Sequence, residues 1–360
     1  MNSSSRAVIV FSLILFLNCS SEDDSTQILD SPPEESTYFP PISSEIWDTK
    51  TLSEIGYNET NLPPLLDFLE DKNTKGFIIL HNGKIVIETY MNGHNETSLW
   101  YWASAGKTLT SATIGIAQDQ GLLSINDSVS DYIGTNWTSI PLEKEKLITC
   151  NNLLSMTSGL DDTLGDSISV DNLHYSADAG DRWAYHNVYV KLQDVVSNAS
   201  NQTWDSYFNT HLKNRIGMSG AWTPFGNLNI YWSTTRSMAR FGLLTSAKGT
   251  WEDTQIISES FLTEATNTSQ SINPAYGCLW WLNGKSSYQL PQSQFELSGE
   301  LIPNAPDDMY CALGRNDQKI YIVPSKKLVI IRMGESADNV NFALSSFDND
   351  LWEQLNLVID

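Results

Sequence analysis

Ser104, Ala105, Gly106 and Lys107 set a hydroxyl and an ammonium three residues apart. At that spacing near a helix start the two side chains share a face, so the amine can approach the hydroxyl. A neighbouring cation lowers the cost of forming an alkoxide, and the positive end of a helix dipole adds to the effect. The chemistry on offer is a serine nucleophile. A capping serine followed by a solvated helical lysine would produce the same letters, and this chain holds a single Ser-x-x-Lys. Competing signatures are missing from the sequence: it has no Gly-x-Ser-x-Gly elbow, no Cys-x-x-Cys, and no His-Glu-x-x-His spacing around His81, His94, His174, His186 or His211. A lipase-type triad is therefore disfavoured, and no metal or other cofactor is expected.

The elements needed to hold such a pair can be read on either side of it. Residues 63–71 form a short amphipathic pattern, and GFIIL and KIVIETY flank His81-Asn82-Gly83 as a hairpin. The stretch 104–120 has helical periodicity, with Leu109, Thr113 and Ile116 on one side and Gly121 just beyond its end. From there to about residue 265 the chain reads as helix and loop, with turn clusters at 157–166 and 217–229. Strand patterns return at 276–282, 308–314, 319–323 and 328–332, and an amphipathic helix closes the chain at 340–357. The expected fold class is α/β (α+β): one antiparallel sheet completed by both termini and flanked by helices, with a mostly helical insertion over about 121–265.

Composition narrows the setting. The chain has 360 residues, 41% hydrophobic, with 12 Trp, 14 Tyr and 12 Phe, which suffices for a large core. Its 43 acidic and 21 basic side chains give a formal charge of −22, which opposes nucleic acid and anionic lipid. Arg6 precedes the apolar run Ala7–Leu17, too short to span a bilayer, and Cys19 follows before an acidic polar stretch. That order resembles a bacterial lipoprotein signal, although Asn18 replaces the small residue usual before the lipidated cysteine. The expected layout is a signal over 1–19 with lipidation at Cys19, a disordered tether over 20–45 rich in Ser, Pro and acids, and one domain over 46–360. The protein would then be exported and held at the bacterial cell envelope, touching the membrane only through its lipid.

Three separated motifs strengthen the reading of Ser104. Ser104-x-x-Lys107, then Tyr185-His186-Asn187, then Ala312-Leu313-Gly314 resemble the penicillin-recognising serine hydrolases, in particular the branch related to class C β-lactamases with its esterase and amidase members. The stretches 148–162, 233–244 and 320–334 are similar to family segments as well, so the resemblance covers about 47–357. It implies that Ser104 is acylated, that Lys107 helps deprotonate it, and that Tyr185 serves as general base and acid, its phenolate stabilised by Lys107. Asn187 would hydrogen-bond Lys107 and a substrate carbonyl. The backbone N–H groups of Ser104 and Arg315, the latter just after Gly314, would form an oxyanion hole. His186 would only fill the middle place.

The third motif departs from the family pattern. A cation followed by a hydroxyl residue usually precedes this glycine and holds a substrate carboxylate, and here Ala312 and Leu313 stand instead. An uncharged or extended acyl substrate, small molecule or peptide, is thus favoured over a β-lactam, with Arg315 or Lys319 as a possible substitute charge. The competing expectation is an inactive descendant retained as an envelope binding lipoprotein. Cys278 and Cys311, both in expected strands, are a candidate disulfide, with Cys150 left free.

Overall fold

The strands from Tyr310 onward are buried on both faces, and that fixes the centre of the molecule. The computed structural model describes residues 35–338 and 343–359. Strands β1 (Thr74–His81), β2 (Lys84–Tyr90), β6 (Trp281–Leu282), β7 (Tyr310–Gly314), β8 (Gln318–Val323) and β9 (Leu328–Gly334) form one sheet in the order β2-β1-β9-β8-β7-β6. Every neighbouring pair is antiparallel. Strands from both ends of the domain therefore meet at its middle, where Thr74 lies opposite Gly334. A smaller sheet joins β3 (Trp100–Tyr101), β4 (Ala221–Phe225) and β5 (Leu228–Ser233) in the order β3-β5-β4.

Alternation along β8 explains how two layers of helix cover the sheet. Ile320 faces helix α4 (Thr235–Ser246), which approaches so closely that a Cβ on Gly242 would fall 2.5 Å from Val329 and 3.3 Å from Ile320. Lys319 and Tyr321 face helix α5 (Ser346–Ile359), whose Asp348 accepts from Lys319 Nζ at 2.7 Å and from the Tyr321 hydroxyl at 2.6 Å. Helix α1 (Leu62–Asp71) lies beside α5, with Phe68 and Phe347 stacked at 5.9 Å. Helix α2 (Lys107–Asp119), with α3 (Lys191–Ser200) against it, runs through the interior, buried from Lys107 to Ala117. Small residues, Ser111, Ala112 and Gly115, make that possible, and a Cβ on Gly115 would collide with the Phe261 ring.

The sheet, its antiparallel pairing and the flanking helices agree with the sequence, and several boundaries move. The strand expected at 276–282 shrinks to Trp281–Leu282. The closing helix begins at Ser346, and residues 339–342 lie outside the described residues. Residues 121–265, expected to be helix and loop, also contain the β4–β5 hairpin where only turns were expected. The tether expected up to residue 45 is instead packed from Tyr38. Tyr38 N–H donates to Asn82 O, Phe39 packs on Trp251 at 5.2 Å, and the Arg240 guanidinium donates to the carbonyls of Pro40, Pro41 and Ser44. Cys19, the signal and the tether as far as residue 34 lie outside the described residues. Cys150, Cys278 and Cys311 are buried free thiols, so the expected 278–311 bridge is not formed. Desolvation raises the pKa of each, which keeps them protonated and unreactive.

Candidate active site

Ser104 does not sit in the α-helix itself. It lies in the tighter 3₁₀ turn Ala103–Gly106, and Lys107 opens α2. Ala103, just before it, adopts a left-handed backbone with φ 48°, a conformation that costs an L-residue roughly 1–2 kcal/mol. The turn is held by Trp102 N–H donating to Tyr231 O on β5, and by the Trp102 indole donating to Ser233 Oγ at 2.8 Å. On its other side is β7. A Cβ on Gly314 would lie 2.4 Å from Trp102 O and 3.0 Å from Ala105 N, so only glycine lets this strand edge reach the Ser104 turn.

Lys107 Nζ lies 2.8 Å from Ser104 Oγ and packs against two aromatic faces, 4.8 Å from the Tyr185 ring centroid and 4.5 Å from that of Tyr189. The side chain is only 3% exposed and makes no ion pair among the described residues. Loss of water brings its pKa down to about 7, and the charge of Asp166 offers the only opposing pull. Burial pushes Tyr185 up to about 12, while its interaction with the Ser104 hydroxyl works the other way. Near pH 7 Tyr185 is thus protonated and neutral, while Lys107 is divided between its neutral and charged forms. A neutral amine in contact with a serine hydroxyl can accept its proton directly.

Tyr185 is positioned by its surroundings. Ala184 N–H donates to Met156 O, and Trp281 stacks on the Tyr185 ring at 5.8 Å, with Tyr276 edge-on at 6.1 Å. His186 accepts the Val188 N–H on Nδ1 and so caps the short turn Asn187–Val190, a structural part consistent with its filler place in the motif. Asn187 departs from expectation. Its amide donates to Asp166 O at 3.4 Å and makes no hydrogen bond to Lys107 among the described residues, because the turn it begins carries it toward the 161–169 loop. Lys319 also departs: it is 0% exposed and points to the α5 face, pinned between Asp317 at 3.2 Å and Asp348 at 2.7 Å, so it offers no charge to the site. Arg315 is exposed in the turn after β7, and its side chain makes no bond among the described residues. Ala312 and Leu313 are both buried.

The structure therefore brings together Ser104, Lys107, Tyr185 and the Gly314 edge, and leaves Asn187 half-turned away. Tyr189, Tyr276 and Asp166 were missed by sequence reasoning. Tyr189 was legible only as part of an aromatic run, and the short turn Asn187–Val190 brings its ring to Lys107.

A single antiparallel sheet with helices on both faces and a buried Ser-x-x-Lys turn at its edge defines a serine hydrolase fold of the β-lactamase/transpeptidase type. The chain matches the Beta-lactamase family over residues 69–345 and belongs to it. A Bacillus anthracis protein provisionally described as a 6-aminohexanoate-dimer hydrolase superposes with a TM-score of 0.67 at 19% identity, covering 91% of this chain and 92% of that one. A penicillin binding protein from Bacillus halodurans gives a TM-score of 0.59 at 14% identity, covering 81% and 99%. An uncharacterized protein of Alkalihalophilus pseudofirmus is 26% identical over 304 residues, 73% of this chain and 84% of the relative.

Proposed function

We propose that the protein is an active serine hydrolase that cleaves an ester or amide bond through an acyl-enzyme on Ser104. The observation that carries this reading is the Ser104–Lys107 contact at 2.8 Å, made by a buried lysine with no carboxylate partner. Such a lysine is neutral for part of the time at pH 7 and can take the hydroxyl proton as Oγ bonds to the carbonyl carbon. Tyr185, protonated and beside Ser104, then donates to the departing oxygen or nitrogen and is reprotonated through Lys107. Water attacks the acyl carbon in the second half, with the proton flow reversed. The backbone N–H groups of Ser104 and Arg315 serve the developing oxyanion in this reading, which the close approach of Gly314 to the Ser104 turn supports.

The substrate lacks a carboxylate at the place where β-lactams carry one. Ala312 and Leu313 supply neither cation nor hydroxyl, and Lys319 is held on the other face of the sheet. Losing a charge-assisted hydrogen bond to a ligand anion weakens binding by roughly 1.5–3 kcal/mol. A structural relative described as a 6-aminohexanoate-dimer hydrolase, and another named EstCE1, a hydrolase with promiscuous acyltransferase activity, fit a fold used on other acyl groups.

Labelling with a fluorophosphonate, read by intact mass, should give one adduct on wild type and none on Ser104→Ala, with short-chain p-nitrophenyl esters turned over only by the former. Absence of both adduct and ester turnover in folded wild type would establish the inactive binding lipoprotein instead. Penicillins and cephalosporins should turn over more slowly than the best ester; the reverse order of kcat/KM would overturn the reading of Ala312 and Leu313.

A further inference from the structure

The β4–β5 hairpin forms one wall of a groove of about 290 Å³ whose lining includes Val190, Gln193, Trp222 and Asn229. Its wall reaches the Ser104 turn through Trp222, whose ring lies 3.9 Å from where a Cβ on Gly106 would stand. Val190 directly follows Tyr189, whose ring lies 4.5 Å from Lys107 Nζ. The Gln193 side chain bridges the two regions: its amide donates to Thr110 Oγ1 on α2 at 3.4 Å, and its oxygen accepts from Asn229 Nδ2 at 3.2 Å.

The groove's polar groups are mostly acceptors. Asp194 and Asp205 both line it, and no Lys, Arg or His does. Asp205 is exposed and without a partner among the described residues, and Asp194 has only a long 3.6 Å ion pair with Lys191. Two further atoms are left unpaired. Asn229 Oδ1 is buried and accepts nothing, and Trp222, 8% exposed, has an indole N–H with no acceptor. Pro224 and Leu228 supply apolar wall between them. An aromatic face, carboxylates and an amide oxygen together are the chemistry that receives a protonated amine, and the same set repels a carboxylate.

We propose that this groove is a substrate subsite that accepts an acyl arm ending in a primary ammonium, with methylenes along the apolar wall and the Trp222 N–H available to an arm carbonyl. The proposal rests on the serine hydrolase reading and names the substrate class of that site.

The test uses p-nitrophenyl esters of matched chain length ending in ammonium, methyl or carboxylate. Wild type should show a KM for the ammonium ester about tenfold below that of the methyl ester, with the carboxylate ester worst. Asp205→Asn, and more fully Asp194→Asn with Asp205→Asn, should erase that preference, and Asp205→Glu should restore it. Equal KM values for the three esters, a preference for carboxylate, or a preference that survives the double substitution would overturn the proposal. Calorimetric titration of Ser104→Ala with an n-alkylamine reads the groove without turnover. Binding lost in the added double substitution supports the subsite even if no ester is cleaved; absence of binding removes it even if esters are cleaved rapidly.

Discussion

Lys107 and Lys319 are both withdrawn from water, at 3% and 0% exposure, yet they keep opposite company. Lys319 sits with two carboxylates, Asp317 and Asp348, which are themselves bonded to Ser345 and Tyr321. Its neighbour Arg332 spreads its guanidinium over the carbonyls of Lys72, Asn316, Asp317 and Glu335. Every charge there has its match, and the cluster ties α5 to the sheet. Lys107 faces a hydroxyl and two aromatic rings instead, and its pKa falls to about 7. Burial alone does not decide what a lysine does. Matched carboxylates make it a fastener, and their absence lowers its hold on a proton, as the proposed base needs.

The comparison can be broken most sharply at Lys107. Lys107→Met should lower kcat/KM for esters by about a thousandfold or more, since Ser104 loses the only amine in reach. The same variant should be more stable at pH 6, by roughly 1–3 kcal/mol, because an ill-partnered buried amine is gone. The sign follows from linkage. The folded-state pKa of about 7 lies below the unfolded value, so the unfolded chain binds the extra proton between them and wild-type stability rises with pH across that window. The gap in melting temperature between variant and wild type should therefore be widest below pH 7 and narrow toward pH 9; a constant gap would mean that Lys107 stays charged in the fold.

Lys319→Met should do the reverse, taking from the buried Asp317 and Asp348 their shared ammonium at a cost of about 3–5 kcal/mol. Chemical denaturation measures it, and acylation of Ser104 by a fluorophosphonate should persist in whatever fraction remains folded. A third, smaller effect sharpens the Lys107 half. The rising limb of kcat/KM should fall near pH 7, and Asp166→Asn should move it downward by less than about one pH unit, because Asp166 is what raises the Lys107 pKa. An upward movement would contradict the assignment of that limb to Lys107.

Ser104 and Lys107 were legible because one turn of chain carries both, and the sheet was legible because β8 and β9 are long and apolar. The hairpin at 221–233 was not: β4 buries only Trp222 of its five residues and contains Pro224, so it shows neither alternation nor an apolar run. Lys319 looked available because a lysine in a strand usually marks the wet face, and its partner Asp348 lies on a helix far along the chain. Asn187 shared a motif with Tyr185, but the motif fixed its identity and not its rotamer, which the 161–169 loop claims. The expected disulfide failed because the strand meant to carry Cys278 shrinks to Trp281–Leu282, leaving that thiol off the strand that pairs beside Cys311.

The pairing of β1 with β9 has a consequence for the order in which the molecule can come into being. The Ser104 turn emerges early, but the strand edge against which it closes, at Gly314, and the strand that completes the sheet, ending at Gly334, follow roughly two hundred residues later, a contact order that predicts slow folding. Until then Lys107 has no dry environment and an ordinary affinity for its proton. On the proposed mechanism a nascent or partly folded chain should be inert toward esters and acylating agents, and reactivity should switch on late and cooperatively, with the arrival of the last strand.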